Sequence, residues 1–394
     1  MAERSFEREV QDLRLGAGEV FRGEGILAIT KALLQSGVSY VAGYQGSPIS
    51  HLMDVLADAR EVMEDLGVHF ETSASEAAAA ATLSASVMYP VRGAVTWKST
   101  AGTNVAADAL SNLSSGGVRG GALIIIGEDY GEGSSIMQER SHAYAMKSQI
   151  WLLDPRPDLP TLVRMVEEGF ELSEASHSPV MLEVRIRTCH VHGQFVTKDN
   201  KKPAFTLRQA LENPSRDVNR IVLPPASFLH EKEKLEKRWP AAVEFIATRK
   251  LNEFFGPKEG PVGIITLGGL YNNVLRALLQ LGLADAYGES LVPIYALNVA
   301  YPIIDSGDGR LLPRQVGGAD RGRGCARLSR AGAEHPLAPP RRANEGRGQG
   351  RLADGRGIHS PGHGRGPARL SARECALAPP KSAADLRPLA GAGA

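Results

Sequence analysis

Between Val38 and Pro302 short apolar runs alternate with stretches of helical spacing, and this alternation constrains the fold more than any other feature of the chain. Strands separated by helices in this way suit a mainly parallel sheet, so an α/β architecture is expected. The expected strands are "VSYVAGY", "VHFETS", "GAVTWKS", "ALIIIGED", "IWLLDP" and "VMLEVRIRT", which make one domain over residues 20–195. The polar "VTKDNKKPAF" and the charged, helix-prone "LHEKEKLEKRW" read as a connector over residues 196–258. A smaller unit, residues 259–305, then opens in "PVGIITLGGLYNNVLRALLQLGLAD" as strand, glycine turn and helix, with "VPIYALNVAYP" as its next strand.

After Asp305 the pattern stops. Residues 307–394 contain no Phe, Tyr, Trp, Met or Thr, and Gly, Arg, Ala and Pro dominate. Such a segment reads either as a disordered basic tail or as GC-rich coding sequence translated out of frame. The second reading is preferred, because those four residue types own the GC-rich codons. Codon degeneracy also allows residues 355–371, "GRGIHSPGHGRGPARLS", to be re-read one base later as "AEEYTAPVMGEGLRAF", a peptide of ordinary composition. An uninterrupted frame shared by independent clones would exclude it.

Composition narrows the function classes. Apolar residues make up 43% and charged residues 23% of the 394, as in a globular protein. With 45 basic against 44 acidic residues the net charge is +1, which gives no global attraction to nucleic acid or an anionic membrane. No apolar run approaches the roughly 20 residues that span a bilayer, and the start "MAERSFEREVQDLRLG" is charged where a secretory signal is apolar. A cytoplasmic location is therefore expected. Cys189, Cys325 and Cys375 lie too far apart to encode a zinc or iron-sulfur site. Any redox centre is expected on another chain.

Several motifs carry candidate chemistry. In "YVAGYQGSPISHLMDVL" an apolar segment runs through a glycine turn into a helix, with Ser47 expected as N-cap and Pro48 as the first helical residue. Ile49, Leu52, Met53, Leu56 and Met63 fall on one face, and Gly67 stands where the helix ends. Gly43 and Gly46 would let a ligand approach the backbone, although the turn has neither a P-loop nor a dinucleotide fingerprint. Either it is only a capped turn or it faces an anion. Glu76 heads an alanine-rich helix, where Ser73 and Glu76 have capping-box spacing; alternatively its carboxylate meets a protonated heterocyclic nitrogen. "AVTWKSTAGTNVAADAL" brings Lys98 and Asn104 to the carboxyl end of the sheet, where ligands of open α/β folds bind. "GEDYGEGSSIMQERSHAYA" has the composition of an active-site loop or of an ordinary surface loop. His190 and His192 are expected on one strand face without a third ligand, so no metal site is assigned. The "GDG" at 307–309 is set aside, since no Asn-Asn pair follows it and Asn272-Asn273 precedes it.

Taken in order, "GYQGSPISHLMDVL", "ETSASEAAAAATLSASV", "TWKSTAGTNVAADAL", "EDYGEGSSIMQERSHAYA" and "LLDPRPDLPTLVRMVEEGFELSE" resemble the thiamine-dependent 2-oxoacid:ferredoxin oxidoreductases, most of all the indolepyruvate type, over residues of about 20–302. The resemblance implies a pyrimidine-binding domain followed by a truncated transketolase-C-terminal-like domain. It implies that Glu76 hydrogen-bonds the pyrimidine of thiamine diphosphate, that Ser47 and Pro48 line the substrate pocket, and that Lys98 and Asn104 shape the site. The implied reaction is oxidative decarboxylation of a 2-oxo acid, an aryl-pyruvate above all, to an acyl-CoA, with electrons passed to ferredoxin. The family's diphosphate domain with its magnesium, and its iron-sulfur clusters, have no counterpart in the sequence. They would belong to a partner chain in an oligomer. The rival is a non-catalytic or truncated binding protein that keeps the fold; a third reading is a thiamine enzyme with no ferredoxin-like partner.

Overall fold

The structure is a computed structural model that describes residues 4–129, 140–215, 217–258 and 260–304. The readings for residues 306–394, including "GDG", and most of the loop after Asp129 lie outside the described residues. The strands in chain order are β1 (Val20–Glu24), β2 (Tyr40–Gly43), β3 (His69–Thr72), β4 (Gly93–Lys98), β5 (Ala122–Glu128), β6 (Trp151–Leu153), β7 (Val180–Arg185), β8 (His192–Val196), β9 (Glu253–Phe255), β10 (Ile264–Leu267), β11 (Ile294–Leu297) and β12 (Val299–Tyr301).

Seven of them form the central sheet in the order β12-β6-β7-β5-β4-β2-β3, parallel throughout except where β12 runs antiparallel to β6. Strands β2 to β7 fall within the six expected runs. Every residue of β5, and β4 up to Trp97, is buried, because helices cover both faces. That is why these strands read as continuous apolar runs rather than as alternating ones. Helix Leu159–Ser176 makes the crossover from β6 to β7; Asp158 caps it by accepting from Thr161 N at 3.1 Å, with proline at its first turn.

Three expectations need correction. "VMLEVRIRT" is a strand only to Arg185, after which Ile186–Cys189 is helical. His190 therefore lies outside β8, and it does not share a strand face with His192. "VPIYALNVAYP" is two strands in different sheets: β11 pairs with β10 and β9, whereas β12 joins the central sheet. Asn298 sits at the crossing and is fully buried. It donates to Leu251 O at 2.9 Å and Glu253 Oε2 at 3.0 Å, and accepts from Arg156 N at 2.9 Å. Two sheets thus share one satisfied amide.

The connector packs back on the domain through a charge. Helix Ala226–Glu233, a π-helical turn Lys234–Arg238 and helix Trp239–Arg249 are continuous, and Arg238 is buried. Its guanidinium donates to the carbonyls of Ser114 and Ser115 at 3.1 Å and of Gly116 at 3.3 Å, and meets Glu233 at 3.2 Å. It thereby satisfies the last carbonyls of helix Ala107–Gly116 and complements that helix's negative end. No helix among the described residues is long and apolar enough to cross a membrane. Replacing Arg238 by Met should cost about 3 kcal/mol, since buried carbonyls and Glu233 lose their donor. Urea unfolding would measure it, and a loss below about 0.5 kcal/mol would show that water replaces the guanidinium.

Candidate functional site

Strand order locates the site. β3 lies on one side of β2, and the chain then crosses to place β4 on the other side, so the order reverses between β2 and β4. At such a switch point the connections leave in opposite directions and open a crevice beyond the carboxyl ends of the strands.

The glycine turn occupies that crevice's floor. Tyr44 N donates to Thr96 O at 3.0 Å and Ser73 N to Gly43 O at 2.8 Å, which carries the ladders just past the ends of β2, β3 and β4. The turn lies so close to its neighbours that side chains are excluded. A Cβ on Gly43 would stand 2.5 Å from Met53 Sδ, and one on Gly46 would stand 2.5 Å from Lys98 Cβ. Ile49 in turn fills the space over Gly127 of β5. The helix begins at Ser50, with Ile49 in the cap position and no side-chain cap. Ser47 is therefore not the N-cap and Pro48 is not the first helical residue. Six residues, 44–49, separate the strand's end from the helix, and within them Gly46 passes Lys98 of β4 and Ile49 passes Gly127 of β5. Ser47 is exposed and Pro48 buried. The expected apolar face is buried, and Gly67 ends the second helix, Arg60–Leu66, in left-handed conformation.

Glu76 is the first residue of helix Glu76–Thr82, directly after β3, and is half-buried. The capping box with Ser73 does not form. Ser75 is the N-cap, accepting from Ala78 N at 3.2 Å, because the strand's extended path continues two residues further than the spacing suggests. Among the described residues the Glu76 carboxylate receives no hydrogen bond, and the buried Ser73 hydroxyl has no partner. Gly102 presses on Glu76: a Cβ there would stand 2.9 Å from Glu76 Cγ and 2.6 Å from Trp97 Cδ1. Trp97, fully buried, is held by donating to Thr103 Oγ1 at 3.2 Å. Lys98, half-buried at the end of β4, has no hydrogen-bond or ion-pair partner among the described residues. The structure thus brings Gly46, Ser47, Lys98 and Glu76 to one stretch of the sheet's carboxyl edge. Asn104 is on the next helix, Ser99–Val105, exposed beside Val105, and no hydrogen bond or ion pair among the described residues draws it into that crevice.

A second group of polar residues was missed. β5, β6 and β7 each bring an acid to the same edge, namely Glu128, Asp154 and Glu183, all buried. Glu128 accepts from Ser99 Oγ at 3.2 Å and from Ser141 N at 3.3 Å. Arg185 donates to both oxygens of Asp154, at 3.2 and 2.8 Å. Burial, then Asp154, pushes the Glu183 carboxyl well above the usual range against the pull of Arg185, and burial lowers His142. The signal was present in "IIIGED", "WLLDP" and "LEVR", where each buried run carries a charge at or near its end. Elsewhere, His192 Nε2 stands 3.2 Å from Glu24 Oε1, while His190 meets the His51 ring edge-on at 5.8 Å. These histidines converge on no common ligand position. Asn272 and Asn273 serve packing, bonding Pro157 O and Arg187.

A heterocycle with a protonatable nitrogen fits this edge, since a half-buried carboxylate without a donor stands beside a buried, unpartnered hydroxyl and a side-chain-free surface at Gly102. Gly102→Ala should therefore lower stability by about 1–3 kcal/mol and displace Glu76. Denaturant titration and a crystal structure of the variant would check both, and an unshifted Glu76 would show that the glycine is not needed for its position.

No family model matches the chain. It is 28% identical over 292 residues to indolepyruvate oxidoreductase subunit IorA of Methanothermobacter marburgensis, covering 74% of this chain and 44% of the relative. It is 29% identical over 276 residues to the IorA subunit of Thermococcus kodakarensis, covering 70% and 41%. The chain thus spans less than half the length of the curated relatives it matches. Among solved structures, a 2-oxoglutarate:ferredoxin oxidoreductase from Magnetococcus marinus with 2-oxoglutarate, coenzyme A and succinyl-CoA bound superposes with a TM-score of 0.58 at 16% identity, over 74% of this chain and 56% of that one. In sequence the chain is thus similar to part of the IorA subunits, and in fold it is similar to a 2-oxoacid:ferredoxin oxidoreductase.

Proposed function

We propose that this chain is the pyrimidine-binding part of a thiamine diphosphate-dependent oxidoreductase that decarboxylates a 2-oxo acid, an aryl-pyruvate in preference, to an acyl-CoA. Residues 20–195 form the pyrimidine-binding domain, 196–258 the connector and 259–305 the start of the transketolase-C-terminal-like unit. The observation that carries the reading is Glu76, a half-buried carboxylate with no donor among the described residues, at the carboxyl edge next to the switch point. When bound, thiamine diphosphate supplies the electron sink for decarboxylation. Glu76 accepts a hydrogen bond from the pyrimidine ring nitrogen and holds its proton. Trp97 and Gly102 keep the Glu76 side chain in place from behind. The backbone of the Gly46 turn and the ammonium of Lys98 face the substrate, with Ser47 and Pro48 on the same wall. Lys98 gives a carboxylate-bearing substrate the positive charge it needs, and Asn104 reaches the cofactor only in the assembled enzyme. Diphosphate, magnesium and iron-sulfur sites come from a partner chain, and ferredoxin accepts the electrons. The proposed enzyme is a cytoplasmic oligomer that binds neither membrane nor nucleic acid, and a net charge of +1 gives no global attraction to either polyanion.

A non-catalytic or truncated chain that keeps the fold is the rival reading. Glu76→Gln decides between them in a complex reconstituted with the partner chain. Aryl-pyruvate-dependent reduction of a viologen dye should fall about 100-fold or more while the thermal midpoint stays unchanged. Full activity in the variant would remove Glu76 from the mechanism, and no activity in the wild-type complex would favour the rival.

A further inference from the structure

The acids at the far end of the carboxyl edge have a chemistry of their own. Asp154 follows β6 and Glu183 lies on β7, and Leu153 pairs with Leu182, so the two carboxylates stand side by side. His142 begins helix His142–Ser148 and points at them from the neighbouring layer, its Nδ1 3.4 Å from Glu183 Oε2. One ligand atom from each of the three lies within 4.8 Å of the other two. We propose that His142, Asp154 and Glu183 bind one divalent transition-metal cation, at a site separate from the Glu76 crevice.

The argument rests on buried ligand atoms whose hydrogen-bonding capacity the described residues leave unfilled. Glu183 is 1% exposed, and although Oε1 lies 3.2 Å from Arg185 Nη2, neither of its oxygens accepts a properly directed hydrogen bond. Arg185 directs its two-pronged bond to Asp154 instead. Among the described residues neither ring nitrogen of His142 has a hydrogen-bond partner. A desolvated carboxylate without a donor is costly, so either a proton or a cation must meet it. A cation answers both groups at once, since the imidazole offers a lone pair and Glu183 a free oxygen. One nitrogen and two carboxylates suit zinc, manganese or iron better than the all-oxygen sets of calcium and magnesium. Arg185 then acts as the outer partner that orients Asp154, as hydrogen bonds to ligating carboxylates commonly do. The three ligands sit on a helix, a strand and a strand end, which fixes their spacing.

The test uses the full chain, stripped with chelator and titrated separately with Zn²⁺, Mn²⁺ and Co²⁺. The expected result is one cation per chain, a raised thermal midpoint and, for Co²⁺, visible d–d bands. Glu183→Gln and His142→Gln should each weaken affinity by about 100-fold. Folded wild-type chain that binds no cation, with Glu183→Gln equally or more stable, would overturn the proposal and assign Glu183 a proton. Binding that both variants retain undiminished would also overturn it. None of these readouts depends on 2-oxo acid turnover, so the site stands or falls independently of the proposed function.

Discussion

A parallel sheet buried on both faces has only its edges and strand ends available for chemistry, and the rest of this molecule is arranged around that limit. β4 and β5 have no solvent-facing side. Their apolar side chains are committed to packing against helices, which is the main source of the domain's stability. The carboxyl ends differ, because there strands turn into helices and leave backbone groups and charged side chains near water. The reversal of strand order between β2 and β4 opens that surface at one place, and the glycine turn fits it because Gly43 and Gly46 carry no Cβ to collide with Met53 and Lys98.

The second sheet and the connector depend on the first through a few buried, multiply hydrogen-bonded polar groups rather than through apolar area alone. Asn298 joins residues of β9, the segment after β6 and the start of β12 with three hydrogen bonds. Arg156, which donates to Glu253, also stacks its guanidinium over the rings of Phe255 and Tyr271. Arg238 performs the same service for the connector. Buried polar groups of this kind specify one arrangement, since a misplaced segment would leave several of them unpaired.

Along the carboxyl edge the electrostatics divide into two parts. Near the switch point Glu76 and Lys98 are half-buried and without partners among the described residues, a state suited to meeting a ligand. Beyond it Glu128, Asp154 and Glu183 are withdrawn from water, and Arg185 is their main counter-charge within hydrogen-bonding reach. The first part resembles an open half-site; the second is a dense, buried cluster of acids in which Arg185 pairs with Asp154 and Glu183.

Much of this was legible before any coordinates. The six expected runs are the central parallel strands, because burial on both faces writes itself into sequence as uninterrupted apolar residues. The buried face of the helix after the turn was likewise readable from its period, and Glu76, Lys98 and the glycine turn were singled out from strand-turn-helix order alone. Local rules failed where chain direction outweighed spacing. Ser47 and Ser73 have the right residue type for caps, yet residues 47–49 form a turn that delays the first helix to Ser50, and Ser75 rather than Ser73 takes the cap position before Glu76. "VPIYALNVAYP" looked like one strand because its apolar run is unbroken, and only the buried amide of Asn298 and the partners on either side divide it between two sheets. The sequence by itself thus determined where the six parallel strands of the central sheet lie and that Glu76, Lys98 and the glycine turn stand at strand ends. Which strand lies beside which, and therefore that Gly46 rests on Lys98 and Asp154 beside Glu183, was decided by tertiary structure, because pairing depends on contacts between segments far apart in the chain that no local pattern records.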